Sequence, residues 1–270
     1  MDEIILGYLQ DDPETLKACS LTCKSLFGAT RVLIHRRFVC LGSWPEHTKP
    51  KPSLLGAFSR HKIRDPGAFE QLIDADRSGF LPYTQYLTLK PKHAYYSPRF
   101  TPREMQEYLP YLQSITKLDS LTLDTFYLSL FTPVFKEHFG MFTDTVRSLD
   151  IRNAYATERE LLYIICQFHL LEDLTIISPA DGLTAQPVPA ITQSPPLRGR
   201  LVFVHAATRE LSGSLAALPG GLKFRSLELS WCEHLGVVLA ACSRTATSVS
   251  YLWQWGDPNS ESNPSTHVYI

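Results

Sequence analysis

One short phrase recurs along most of this chain and narrows what it can fold into. Three apolar residues spaced i, i+3 and i+5 occur in Leu118-Asp119-Ser120-Leu121-Thr122-Leu123, Val146-Arg147-Ser148-Leu149-Asp150-Ile151, Leu171-Glu172-Asp173-Leu174-Thr175-Ile176 and Phe224-Arg225-Ser226-Leu227-Glu228-Leu229. Weaker copies lie at Tyr86-Leu87-Thr88-Leu89, Leu201-Val202-Phe203 and Ser248-Val249-Ser250-Tyr251. Their central apolar residues stand at 87, 121, 149, 174, 201, 227 and 249, in steps of 34, 28, 25, 27, 26 and 22 residues. Apolar and polar residues alternating in this way sit on opposite faces of a strand. Helix signals separate the phrases. Thr157-Glu158-Arg159-Glu160 is a capping box leading into Leu161, Leu162, Ile165 and Phe168, and Leu235, Val238, Leu239 and Cys242 recur at helical spacing. Thr101-Pro102-Arg103-Glu104 is a further capping box ahead of Met105, Tyr108, Leu109 and Leu112, a helix that Pro110 should interrupt. A strand-helix unit of this size cannot bury its apolar face alone and has to stack on its neighbours.

The period resembles that of leucine-rich repeats, whose unit of about 20–29 residues pairs one strand with one helix. The resemblance implies an α/β fold, an irregular solenoid of parallel strands and helices over residues 65–255. Each phrase should send its second and third apolar residues into the core and leave the alternating ones on the concave sheet face. On that register the surface positions are Ser120, Thr122, Asp124, Ser148, Asp150, Arg152, Asp173, Thr175, Ser226 and Glu228. The ninth position, where these repeats carry Asn or Cys, holds Phe126, Ala154, Pro179 and Cys232, and only the last fits. Residues 178–200 carry five prolines and two glycines, which predicts a loop in place of a helix. The stretch 256–270 reads as a disordered tail.

The first forty residues have a different pattern. Ile4, Ile5, Tyr8 and Leu9 suggest a helix, and Asp12-Pro13-Glu14 supplies a cap, a proline at the first helical position and an acidic first turn for a second. That second helix shows an apolar face of Leu16, Cys19, Ser20, Cys23 and Phe27, with Gly28 as a stop or kink. Val32, Leu33 and Phe38 suggest a third short amphipathic piece. Forty residues of short helices are too few for a core of their own. A proline- and lysine-bearing linker is expected over 41–64, where Trp44-Pro45, Pro50 and Pro52 occur.

The run from Asp12 to Leu26 resembles the second half of an F-box, as found in a large family of fungal F-box proteins. Cys23 and Lys24 match its Val-Cys-Lys/Arg-x-Trp run, Thr22 and Leu26 stand where Val and Trp are usual, and no Leu-Pro-x-Glu phrase precedes Ile4-Ile5. The resemblance implies an F-box-like segment over 1–40 that docks on a Skp-type adaptor, and through it on a cullin. Ile5, Leu9, Leu16, Cys19 and Cys23 are the residues it places in the core and interface shared with that adaptor. The chain would then be the substrate-recognition subunit of an SCF-type E3 ubiquitin ligase, with a target protein held on the repeat surface. The alternative is a non-catalytic repeat scaffold, or a decayed F-box protein that no longer engages the adaptor.

Composition is consistent with either reading. With 26 Lys+Arg against 27 Asp+Glu, the formal charge of -1 provides no global field for nucleic acid or anionic membranes. No apolar window reaches a membrane-spanning length, and Met1-Asp2-Glu3 lacks the basic start of a secretory signal. A cytoplasmic or nuclear protein is expected. The six cysteines show neither CxxC nor zinc-finger spacing, so no metal or cofactor is expected. The nine histidines are scattered, and no G-x-S-x-G, P-loop, G-x-G-x-x-G or H-E-x-x-H sequence occurs, which leaves no catalytic residue to nominate.

Overall fold

The computed structural model describes residues 12–22, 24–42, 74–91, 110–125, 128, 139–177, 194–204, 209–230, 235–251 and 266–269. Two helices come first, α1 (Pro13–Thr22) and α2 (Lys24–Ile34). Asp12 starts α1 by accepting hydrogen bonds from the Thr15 amide (3.0 Å) and the Thr15 hydroxyl (2.6 Å). This is the cap expected of a short polar side chain ahead of a proline. Gly28 does not stop the second helix, which continues to Ile34, because one glycine costs about 1 kcal/mol in a helix interior and does not forbid it.

The chain then enters a sheet. β1 (Arg37–Gly42), β2 (Tyr86–Pro91), β3 (Ser120–Asp124), β4 (Ser148–Arg152), β5 (Asp173–Ile177), β6 (Arg200–Val204), β7 (Ser226–Ser230) and β8 (Ser248–Tyr251) pair in sequence order, all parallel, and β9 (Thr266–Tyr269) closes the far edge antiparallel to β8. The seven central residues expected from the phrases fall in one row, Leu87, Leu121, Leu149, Leu174, Leu201, Leu227 and Val249 facing one another across successive strands. Two corrections follow. Phe38 is not part of a third helix but sits in β1 opposite Leu87, so the first strand crosses the expected boundary between the N-terminal segment and its linker. Residues 266–269 form an edge strand inside the stretch expected to be disordered, because the open edge of β8 offers backbone partners that local composition does not reveal.

A carbonyl relay holds the register at the starts of β2 to β5 and of β7 and β8. The carbonyl of Arg36 accepts from the amides of Gln85 and Tyr86, that of Gln85 from Asp119 and Ser120, that of Asp119 from Arg147 and Ser148, and that of Arg147 from Glu172 and Asp173. The same pattern resumes from Gly199 to Arg225 and Ser226, and from Arg225 to Thr247 and Ser248. At the far ends of β3 and β4, Thr125 (φ 57°) and Asn153 (φ 48°) turn the chain in the left-handed region. Their amides donate to the carbonyls of Arg152 and Ile177.

Helices α3 (Glu158–Gln167), α4 (Arg209–Ala216) and α5 (Leu235–Cys242) connect successive strands and pack against one another. The Thr157 capping box is formed as the spacing predicts: the Glu160 amide donates to the Thr157 hydroxyl, and the Thr157 amide to the Glu160 carboxylate. Leu161, Leu162 and Ile165 of α3, Leu211 and Leu215 of α4, and Val238 and Cys242 of α5 share one core with Leu121, Leu123, Leu149, Ile151, Leu174, Ile176, Leu227 and Leu229 of the strands. The first apolar residue of each strong phrase, Leu118, Val146, Leu171 or Phe224, is buried there as well. Pro110 to Leu112 are helical, and Leu112 is buried, while residues 101–109 and their capping box lie outside the described residues. Most of the expected 178–200 loop lies outside them too, and residues 194–199 have no regular structure. No described helix is long and apolar enough to cross a membrane.

Candidate interaction surfaces

The sheet's other face carries the residues that the repeat register nominates. Strands β3, β4 and β5 alternate half-buried with buried positions, so Ser120, Thr122, Asp124, Ser148, Asp150, Asp173 and Thr175 stand opposite the core side, and Arg152 is exposed beside them. Ser226 and Glu228 do the same on β7. The structure brings these into rows: Ser120 faces Ser148, which faces Asp173, while Thr122 faces Asp150, which faces Thr175. All ten expected positions share one face.

Other residues belong to that face although the reading of the strong phrases did not nominate them. Thr88 continues the row of Thr122, and Val202 bridges Thr175 to Glu228. Tyr86 pairs with Ser120 on one side and Arg37 on the other. The signal was present in the weaker phrases, whose outward positions are found by the same alternation. Arg37 and Val39 had no such signal, because a lone strand after a helix has no repeat to align with.

The electrostatics of the face differ from what its residue types suggest. Asp150 is held by a bidentate contact from Arg152 within 3.0 Å, and its side chain in turn raises the guanidinium's pKa. Glu228 is paired with Arg200. Asp173 accepts from the Arg200 amide at 2.6 Å, and Asp124 accepts from the Asn153 amide group and the Thr125 hydroxyl, both at 3.0 Å. The carboxylates that make the list look acidic therefore already have cationic or hydrogen-bonding partners. Along the strand starts, Glu172 joins Arg147 (3.3 Å) and Arg198 (2.5 Å) into a second internal ladder.

The N-terminal helices divide the residues expected to meet an adaptor. Leu16 is 1% exposed and belongs to the chain's own interior, so it is not available as an interface contact. Cys19 is half-buried, and Ile5, Leu9 and Cys23 lie outside the residues whose side chains are described. The apolar side chains that do face outward are different ones: Leu21 at 86%, Phe27 at 47% and Val32 at 37% exposure. Phe27 is the last member of the apolar face that the sequence predicts, whereas Leu21 lies off that face; the spacing reads as one helix, and the structure divides it between α1 and α2.

Where α2 meets β1, cations and rings interleave. Arg31 lies 5.2 Å from the Phe27 ring centre and 5.0 Å from that of Phe80, and donates to the Ser78 carbonyl at 3.0 Å. His35 stacks on Phe80 with centroids 3.6 Å apart, and burial together with the Arg31 charge holds its pKa below the ordinary histidine value. Arg36 donates to Gln85 Oε1 (2.6 Å) and to the Tyr86 hydroxyl (2.9 Å). Arg36 and Arg37 also lie 4.9 and 5.6 Å from the Tyr86 ring centre.

Among the described residues no group of three or more His, Cys, Asp or Glu side chains could hold a metal ion. His169 meets Asp144 at 2.8 Å on an exposed surface. Comparison with family models, curated proteins and solved structures finds no match to this chain.

Proposed function

We propose that this chain is a non-catalytic protein-interaction subunit, the substrate receptor of an SCF-type ubiquitin ligase. On this reading the N-terminal helices engage a Skp-type adaptor and the outward sheet face holds a target protein. The observation that carries it is the pairing of two unlike surfaces on one frame. An outward apolar set on α1 and α2 adjoins a sheet whose free face is a broad array of short polar side chains. The F-box resemblance of residues 12–26 gives the apolar set its adaptor, and the leucine-rich-repeat resemblance gives the sheet face its target. Such a subunit works by holding a target close to chemistry done elsewhere, which raises effective concentration and needs no reactive residue of its own. Leu16 is buried, so on this reading the exposed Leu21, Phe27 and Val32, with half-buried Cys19, are the side chains offered to the adaptor.

The test is co-purification of the full chain with a Skp-type adaptor, using wild type and a Leu21→Asp/Phe27→Asp variant. Both side chains are exposed, so the variant is expected to keep the wild-type melting temperature within a few degrees. Capture of wild type and loss of capture by the variant supports the reading. Equal capture of both, or of neither, removes the ligase assignment and leaves a repeat scaffold that works without the adaptor.

A further inference from the structure

We infer that the β1–β2 end of the sheet face is a docking site for an acidic protein segment, held by Arg36 and Arg37 beside Tyr86. This goes beyond the ligase reading and holds whether or not an adaptor binds.

The argument starts from where the charges are compensated. Arg147, Arg152, Arg198 and Arg200 all have carboxylate partners. Among the described residues Arg31, Arg36 and Arg37 have none: their contacts are Ser78 O, Gln85 Oε1, the Tyr86 hydroxyl and the rings of Phe27, Phe80 and Tyr86. Charge on the outward face is thus segregated. Asp124, Asp150, Asp173 and Glu228 occupy β3 to β7 and are already engaged, while among the described residues Arg36, just ahead of β1, and Arg37, its first residue, stand beside Tyr86 of β2 without a carboxylate partner.

A guanidinium over an aromatic ring has its weakly hydrated face covered while its in-plane donors stay available for a carboxylate fork. Tyr86 holds two such groups; Arg36 already donates Nε to Gln85 and Nη2 to the Tyr86 hydroxyl, so its Nη1 side and the Arg37 guanidinium are the donors left for a carboxylate, and the pair is held in place before any partner arrives, which lowers the ordering cost of binding. The depressed pKa of His35 agrees with this picture, since burial and the neighbouring Arg31 charge both disfavour its protonation. Ser120, which faces Tyr86, and Ser148 beyond it continue the row with small side chains, leaving room for a segment laid across the strands.

The probe is a fluorescein-labelled peptide of alternating Glu and Ser, titrated with the full chain and read by anisotropy at low and at physiological salt. Its Gln-for-Glu counterpart serves as the neutral control. Wild type should bind the Glu peptide, and Arg36→Gln/Arg37→Gln should weaken binding about tenfold or more, the factor that two partly exposed charge contacts supply. Arg244→Gln removes an exposed guanidinium elsewhere and should leave affinity unchanged. Arg36→Lys/Arg37→Lys keeps the charge but not the planar fork, and should recover only part of the affinity. Circular dichroism and melting temperature check that each variant is folded. Equal affinity for the Glu and Gln peptides, equal loss in Arg244→Gln, or binding of a phosphoserine peptide without binding of the Glu peptide overturns the proposal.

Discussion

Replacing Gly199 by alanine should destabilise the wild-type chain and stabilise one that lacks the Asp173 carboxylate. A Cβ built at Gly199 would overlap Asp173 Oδ1 and stand 3.0 Å from Asp173 Cγ, while the nearest backbone atom, the Glu172 carbonyl oxygen, is 3.3 Å away. The obstruction is therefore a movable side chain more than the backbone. Moving it breaks the hydrogen bond that the Arg200 amide donates to Asp173 Oδ1 at 2.6 Å. A hydrogen bond to a charged group contributes about 1.5–3 kcal/mol, toward the low end at a half-exposed site. Against that, a glycine whose backbone suits alanine gains about 0.4–1 kcal/mol from the reduced freedom of the unfolded chain. Gly199 is outside the left-handed region, so that gain applies. The expected balance is a loss of about 1 kcal/mol in wild type and a gain of about 0.5 kcal/mol in an Asp173→Ala background. Urea unfolding of wild type, both single variants and the double variant, with m-values compared, measures the cycle. Equal losses from Gly199→Ala in both backgrounds would refute the reasoning, because they would place the clash on the backbone.

Three further outcomes follow from the same structure. Thr157→Ala removes one half of the capping box and should cost about 1 kcal/mol in urea unfolding, with Thr157→Ser close to wild type. His35 titrates lower in the fold than in the unfolded chain, so its contribution to stability is present above the ordinary histidine pKa and is lost as pH falls through the lowered folded value. The melting temperature should accordingly drop less between pH 7 and pH 5 in His35→Gln than in wild type. Burial pushes the Cys166 thiol up to about 11, so mass spectrometry should find it alkylated slowly by iodoacetamide in the native state near pH 8 and rapidly in urea. Prompt native alkylation would contradict its placement against the core.

The row of Leu87, Leu121, Leu149, Leu174, Leu201, Leu227 and Val249 was legible because a strand's period of two fixes which face each residue takes, and a repeat fixes the register of one strand on the next. The Asp12 cap and the Thr157 capping box were legible for the same reason: both are local, settled within four residues. What depends on distant parts of the chain was not. Phe38 joins a strand only because Leu87 is beside it, and residues 266–269 become a strand only because β8 would otherwise end the sheet with unpaired backbone. Leu16 and Leu21 are equally apolar leucines of one helix, yet one is 1% and the other 86% exposed. Their spacing alone could not say which side the rest of the chain would cover. Charge followed the same division: the residue list of the sheet face reads as acidic, and tertiary pairing with Arg152, Arg200 and Asn153 leaves, among the described residues, the arginines beside Tyr86 without a carboxylate partner. Alternation and capping act over a few residues and are written in the sequence. Burial and charge compensation are sums over neighbours far apart in the chain, and only the folded arrangement supplies those neighbours.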